Sequence, residues 1–141
     1  MAVSRVPEHC YVDTNVVLRY LLGEPAEQAA AVRDLFRRAG EGEMVLGLHP
    51  TVLAEVVYVM CSPRALGGGR GEVVAVLREL LALPGVQTPD LGRVLDALRR
   101  FETTRLDWVD ALLLAHTSDA VVYSFDGAMQ KAGARRPGGP G

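Results

Sequence analysis

Asp13, Glu55, Asp110 and Asp126 stand where carboxylates are awkward. Asp13 closes the β-prone run His9-Cys10-Tyr11-Val12. Glu55 interrupts an apolar segment, on the helical stripe Val52, Val56 and Val59, where an ordinary helix carries only apolar side chains. Asp110 sits one turn into a helix beside Ala111 and Leu114, and Asp126 follows Tyr123-Ser124-Phe125 just past a short strand. Brought to one sheet edge, four carboxylates repel one another unless a counter-charge stands among them. A hard divalent cation, Mg2+ or Mn2+, takes oxygen ligands and relieves that repulsion. One or two such ions orient a water for in-line attack on a phosphodiester and stabilise the leaving oxygen. The chemistry is hydrolysis of a polyanion that the acids alone would repel.

Taken singly, the acids have plainer readings. Asp13 suits the N-cap of a following helix. Asp107 and Asp110 have the spacing of a capping box, with Asp107 as the cap. Asp126-Gly127 is an ordinary turn dipeptide. Glu55 is the hardest to read this way, because a Glu within an apolar stripe is seldom buried unless paired.

The elements that must position these groups alternate along the chain. Strand 1 ends at Asp13 and is expected to be buried; a short helix follows over Val16–Leu22, stopped by Gly23. Pro25 opens a second helix through Ala39, and Met44–Gly47 is a second strand. Pro50 fits the first position of a third helix, which runs to about Met60. Gly67-Gly68-Gly69 lies in a loop that runs to Gly71 and lacks the Lys-Ser/Thr ending of a phosphate-binding loop. Glu72–Leu83, the segment from Pro89-Asp90 to Phe101, and Asp107–Thr117 read as helices; Val86–Thr88 and Val121–Ser124 read as strands. Ala128–Ala132 is a last helical piece, and Gly133–Gly141 is a Gly/Pro-rich tail expected to be disordered. Strand-helix alternation predicts one α/β domain over residues 1–132, a parallel sheet with helices on both faces and ligands at the carboxyl ends of the strands.

Composition fits this reading. The chain has 141 residues, 49% of them apolar, which excludes a disordered or disulfide-stapled chain. Lys plus Arg is 15 against 17 Asp plus Glu, a formal net charge of −2, which excludes a uniformly basic surface but permits a local basic groove. Cys10 and Cys61 have no metal spacing and are expected to be buried thiols in a reducing, cytoplasmic setting. No apolar run follows Met1, so no signal peptide is expected. The apolar stretch Met44–Pro63 carries Pro50 and Glu55 near its middle, and a mid-bilayer carboxylate costs roughly 2.5–3.5 kcal/mol, so no membrane span is expected.

At the acids the sequence resembles the PIN-domain nucleases. The likeness rests on Tyr11-Val-Asp13-Thr14-Asn15, Pro50-Thr-Val-Leu-Ala-Glu55, Asp107-Trp-Val-Asp110-Ala-Leu and Tyr123-Ser-Phe-Asp126, in that order, between Cys10 and Lys131. Within the family it is most similar to the small VapC-type toxins. The resemblance implies a three-layer α/β/α sandwich with a mostly parallel sheet of four to five strands. It implies metal-dependent cleavage of RNA by Asp13, Glu55, Asp110 and Asp126, with Asn15 ordering the first acid and Thr14 and Ser124 near the metal. It further implies a homodimer and, for toxin members, an antitoxin peptide over the active groove. Two departures stand out: His49 takes the place of a helix-capping Ser or Thr, and Lys131–Pro137 has no apolar run for a final strand.

Other functions leave different marks. A phosphatase of the haloacid-dehalogenase kind needs a second Asp two residues beyond the nucleophile, where this chain has Asn15. A non-catalytic binding module of the same fold has no need to keep all four acids, and a PIN nuclease of RNA processing would keep them without an antitoxin. Arg19, Arg64 and Arg70 are candidate phosphate contacts, each more simply solvated. His9, His49 and His116 share no metal spacing, and His116 reads as a half-buried packing residue. Trp108 and Tyr58 read as core anchors. The stripe Leu53, Val57 and Met60 is a candidate dimer surface.

Overall fold

The computed structural model describes residues 6–65 and 69–139. They fall into two compact units, Met1–Pro89 and Asp90–Gly141. The first unit contains β1 (Glu8–Tyr11), α1 (Thr14–Leu22), α2 (Ala26–Gly40), β2 (Met44–Gly47), α3 (Pro50–Met60), α4 (Arg70–Leu81) and β3 (Val86–Gln87). The strands form a parallel sheet in the order β1-β2-β3, with Tyr11 opposite Gly47 and Gly47 opposite Gln87. Parallel neighbours need long crossovers, which α1 with α2, and α3 with α4, supply. The α/β class and the parallel sheet are as expected, but among the described residues the sheet has three strands, not four to five.

Local chemistry sets the helix ends that place the acids. Gly23 adopts φ 72° at the C-cap of α1, a left-handed conformation that costs glycine little, and its N–H bonds the Arg19 carbonyl. His49 caps α3: its Nδ1 accepts from the Thr51 N–H at 3.1 Å, and Pro50 occupies the first turn. The imidazole therefore does the work expected of a Ser or Thr. Gly85, at φ 84°, turns the chain into β3 against the backbone of Ala39, where a Cβ would collide with the carbonyl.

Several expectations are corrected here. β1 is not buried: Glu8, His9 and Tyr11 are exposed and Cys10 is half-buried, because the strand stands at the margin of the sheet. Cys61 is exposed at the end of α3. The buried stripe of α3 is Leu53, Val56, Val57 and Met60, each 3% exposed or less. Leu53, Val57 and Met60 are thus core and cannot offer a surface to a second copy. Tyr58 lies opposite that stripe at 82% exposure and anchors no core. Arg70 and Gly71 belong to α4, which Gly69 precedes; Gly67 and Gly68 of the expected loop lie outside the described residues.

The second unit contains α5 (Leu91–Thr103), α6 (Trp108–His116) and α7 (Gly127–Lys131). α5 packs on α6 through Val94, Ala97, Leu98 and Phe101, and the Phe101 and Trp108 rings meet edge to face at 6.0 Å. Trp108 is buried as expected. His116 is half-buried and its Nδ1 lies 2.9 Å from the Leu112 carbonyl, again as expected. Arg93 donates to the carbonyls of Ala115 and His116, satisfying the end of α6.

The expected strand over Val121–Ser124 shrinks to one parallel bridge, Tyr123 with Arg135. Its partner segment lacks the apolar alternation that would extend the ladder. The same pairing orders part of the expected tail. Arg135 N–H bonds the Val122 carbonyl, Ser124 N–H bonds the Arg135 carbonyl, and Ala134 is buried. Among the described residues no helix is long and apolar enough to cross a membrane.

Candidate active site

In the first unit the site is built at the carboxyl end of β1. Asp13 is exposed at the N-cap of α1, and its Oδ1 accepts from the Val16 N–H at 3.1 Å. The capping reading of Asp13 is therefore correct as far as one oxygen goes. Oδ2 has no protein partner among the described residues and remains available to a ligand. One residue on, Thr14 Oγ1 donates to Glu55 Oε2 at 2.8 Å. That bond ties the first turn of α1 to the middle of α3.

Glu55 differs from expectation in one respect. It is exposed, not embedded in an apolar stripe, because α3 turns Leu53, Val56, Val57 and Met60 inward. An exposed Glu needs no buried partner, so its position alone is unremarkable. Its hydrogen bond from Thr14 is what links it to the Asp13 motif. Asn15 is exposed and holds no side-chain hydrogen bond to Asp13 among the described residues, so an ordering role has no contact behind it here.

In the second unit Asp126 caps α7, its Oδ1 accepting from the Met129 N–H at 3.0 Å. Ser124 Oγ accepts from the Asp126 N–H at 3.0 Å and so fixes the backbone that presents the acid. Asp110 lies in the first turn of α6 and is half-buried. Burial, then the nearby charges of Asp107 and Asp126, hold its carboxyl above the usual range. Asp107 occupies the N-cap position of α6 but makes no side-chain cap bond, so the capping box does not form.

In one unit the structure thus joins Thr14, next to Asp13, to Glu55, and in the other the charges of Asp107 and Asp126 act on Asp110. Every donor in both groups is a hard oxygen, the set suited to Mg2+ or Mn2+ and unsuited to soft metals. Among the described residues no group of three or more His, Cys, Asp or Glu forms a ready-made metal cage. A metal with few protein carboxylates, completing its shell with water and phosphate oxygens, fits such an open set.

Two cations escaped the sequence reading. Arg105 and Lys131 line an open cleft of about 540 Å³ with Thr104, Gly127, Ala128 and Ala132, beginning one residue past Asp126. Their readable sign is position: Arg105 stands two residues before Asp107, and Lys131 ends the helix that Asp126 caps. Of the arginines singled out, Arg19 is bonded to Gln28 Oε1 at 2.7 Å and Arg64 is exposed. Arg70 opens α4. The exposed Phe125 ring, next to Asp126, lies 5.7 Å from the Arg136 guanidinium.

Comparison with family models finds the PIN domain over residues 10–134, a span holding all four acids. Comparison with curated proteins finds no match.

Proposed function

Since the chain belongs to the PIN domain family, generally a metal-dependent nuclease fold, we propose that it is a metal-dependent endoribonuclease and the toxin of a toxin–antitoxin pair. Asp13, Glu55, Asp110 and Asp126 are its metal-binding acids, with Mg2+ or Mn2+ as cofactor in one or two ions. RNA is the substrate. The observation that carries the reading is the 2.8 Å hydrogen bond from Thr14 to Glu55, which ties the second acid to the motif of the first.

When bound, a divalent ion supplies Lewis-acid activation of water and neutralises phosphate charge. The chain's own residues prepare for that. The Val16 N–H fixes Asp13 through Oδ1 and leaves Oδ2 free to bind. Thr14 fixes the Glu55 carboxylate by donating to one oxygen. Ser124 and the Met129 N–H fix Asp126 from its two sides. Holding these three acids in place before the substrate arrives lowers the cost of reaching the reactive geometry.

A PIN nuclease of RNA processing is the second reading, favoured if no partner peptide exists. Homodimerisation, an antitoxin partner, cytoplasmic location and a single domain over residues 1–132 belong to the same proposal. The test is cleavage of a panel of RNAs with Mg2+, Mn2+ or EDTA, beside Asp13→Asn. Metal-dependent cleavage lost in Asp13→Asn supports the reading. Cleavage by Asp13→Asn at the unaltered rate, or none by the unaltered protein with either metal, overturns it.

A further inference from the structure

Beside Asp126 the second unit carries the open cleft between the α5–α6 connection and α7, about 540 Å³ in volume. Its two charged walls are both cationic. Arg105 and Lys131 are exposed, and neither is joined to a carboxylate among the described residues. What distinguishes them from the other unpaired arginines is that they face one cleft together. Arg37, Arg38, Arg99 and Arg100 are all tied to acids on their own or adjoining segments. Arg105 stands two residues from Asp107 and still forms no pair with it.

The remaining walls are small. Gly127, Ala128 and Ala132 leave room at the start and end of α7, and a Cβ built on Gly127 would meet nothing within 4 Å. A cleft with two uncompensated cations and a floor without bulky side chains suits a sugar–phosphate backbone, whose charge is regular and whose ribose needs space. It offers no aromatic ring on which a base could stack and no side-chain amide.

We infer that Arg105 and Lys131 form a phosphate subsite that holds the RNA backbone one or more nucleotides from the phosphate facing Asp126. The inference rests on the nuclease reading and adds to it the contacts that let an acidic chain grip a polyanion. The subsite positions substrate by charge and not by sequence, so it contributes to binding of every RNA alike.

The test separates binding from cleavage. The probe is a single-stranded RNA with 2′-O-methyl riboses, titrated by fluorescence anisotropy in EDTA over a series of salt concentrations. It is applied to the unaltered protein, R105Q, K131Q, the double variant, R105K with K131R, and R99Q as an equal change of net charge elsewhere. Each lost phosphate contact should flatten the slope of log K against log salt by about 0.7, and the double variant by about 1.4. R99Q, and the R105K/K131R protein, should keep the unaltered slope. With cleavable RNA and Mg2+, the double variant should raise KM and leave kcat within about twofold.

A double variant with the unaltered slope and KM overturns the subsite while leaving the nuclease reading intact. So does an equal flattening in R99Q, which would make the effect one of net charge. An unaltered protein that binds the probe with the stated slope changes but cleaves no RNA overturns the nuclease reading and keeps the subsite. Circular dichroism of each variant shows that the fold is retained.

Discussion

Thr14 donates a 2.8 Å hydrogen bond to Glu55 across 41 positions of sequence. It joins the residue after the first acid to the second acid, and it does so in the open, where water competes for both groups. A bond of that kind adds little to stability, about 0.5–1.5 kcal/mol net at most. Its value lies in holding a carboxylate still.

Replacing Thr14 by Val should therefore separate positioning from stability. The hydroxyl is lost and the shape is kept. Cleavage of RNA is expected to fall roughly ten- to hundredfold, the scale of a displaced catalytic group. The Tm should move by no more than about 5 °C, as about 1 kcal/mol allows in a domain of this size. Thr14→Ser keeps the donor and should restore most of the rate. Equal rates in the Val variant and the unaltered protein would remove Thr14 from the site.

Asp13 carries two duties that different substitutions pull apart. One oxygen caps α1 and the other is free. Asn caps a helix about as well as Asp, so Asp13→Asn should leave the Tm nearly unchanged while ending metal-dependent cleavage. Asp13→Ala removes the cap as well and should cost a further ~1 kcal/mol. Denaturant melts of the two variants, run beside the cleavage assay, check both halves. Equal stability of Asn and Ala at this position would mean that the cap contributes nothing.

Much of this geometry was legible in the sequence, and the failures have identifiable causes. β2 and α3 begin and end where the sequence places them, because Pro50 starts the helix and Gly47 ends the strand. Asp13, Asp110 and Asp126 also sit at the helix starts that the sequence names, and Glu55 sits within α3. The inward face of α3 was not legible: Val52 to Met60 is apolar at every position but Glu55 and Tyr58, so no period shows which stripe is buried. The strand over Val121–Ser124 failed for want of a partner, since Ala132–Pro137 offers no alternation to pair with it and only Tyr123 finds Arg135. The cations of the cleft were missed because Arg105 lies on a connection and Lys131 on a five-residue helix, too short to show a period.

Asp110 predicts a dependence on pH with a definite sign. Its carboxyl is held above the usual range by burial first and by Asp107 and Asp126 next. The folded protein thus binds this proton more tightly than the unfolded chain does. Below the unfolded value, near 3.9, both states are protonated and the residue is neutral to stability. As pH rises through the folded value, the charge becomes a cost that persists to neutrality. In EDTA, Asp110→Asn should therefore melt higher than the unaltered protein at pH 7, and the difference should vanish near pH 3. Asp96 behaves oppositely: hydrogen bonds from Arg100 and Arg99 lower its carboxyl, so its contribution is present at neutrality and is lost in acid. A melt of Asp110→Asn that lies below the unaltered protein at pH 7 would contradict the crowding.

His49 supplies the last prediction. Its Nδ1 accepts the Thr51 N–H and lies 2.7 Å from Thr51 Oγ1, so the ring works as a cap only while that nitrogen keeps its lone pair. The helix it caps carries Glu55 six residues on. His49→Ala leaves that N–H to water and should cost ~1 kcal/mol, within a range of about 0.5–2. His49→Ser or His49→Asp replaces the acceptor with a better one and should match or exceed the unaltered stability. Because the Glu55 carboxylate is fixed by Thr14 and not by the cap, cleavage at a temperature well below the melt should be the same in all three variants. Loss of cleavage in a stably folded His49→Ser would instead place the imidazole in the chemistry.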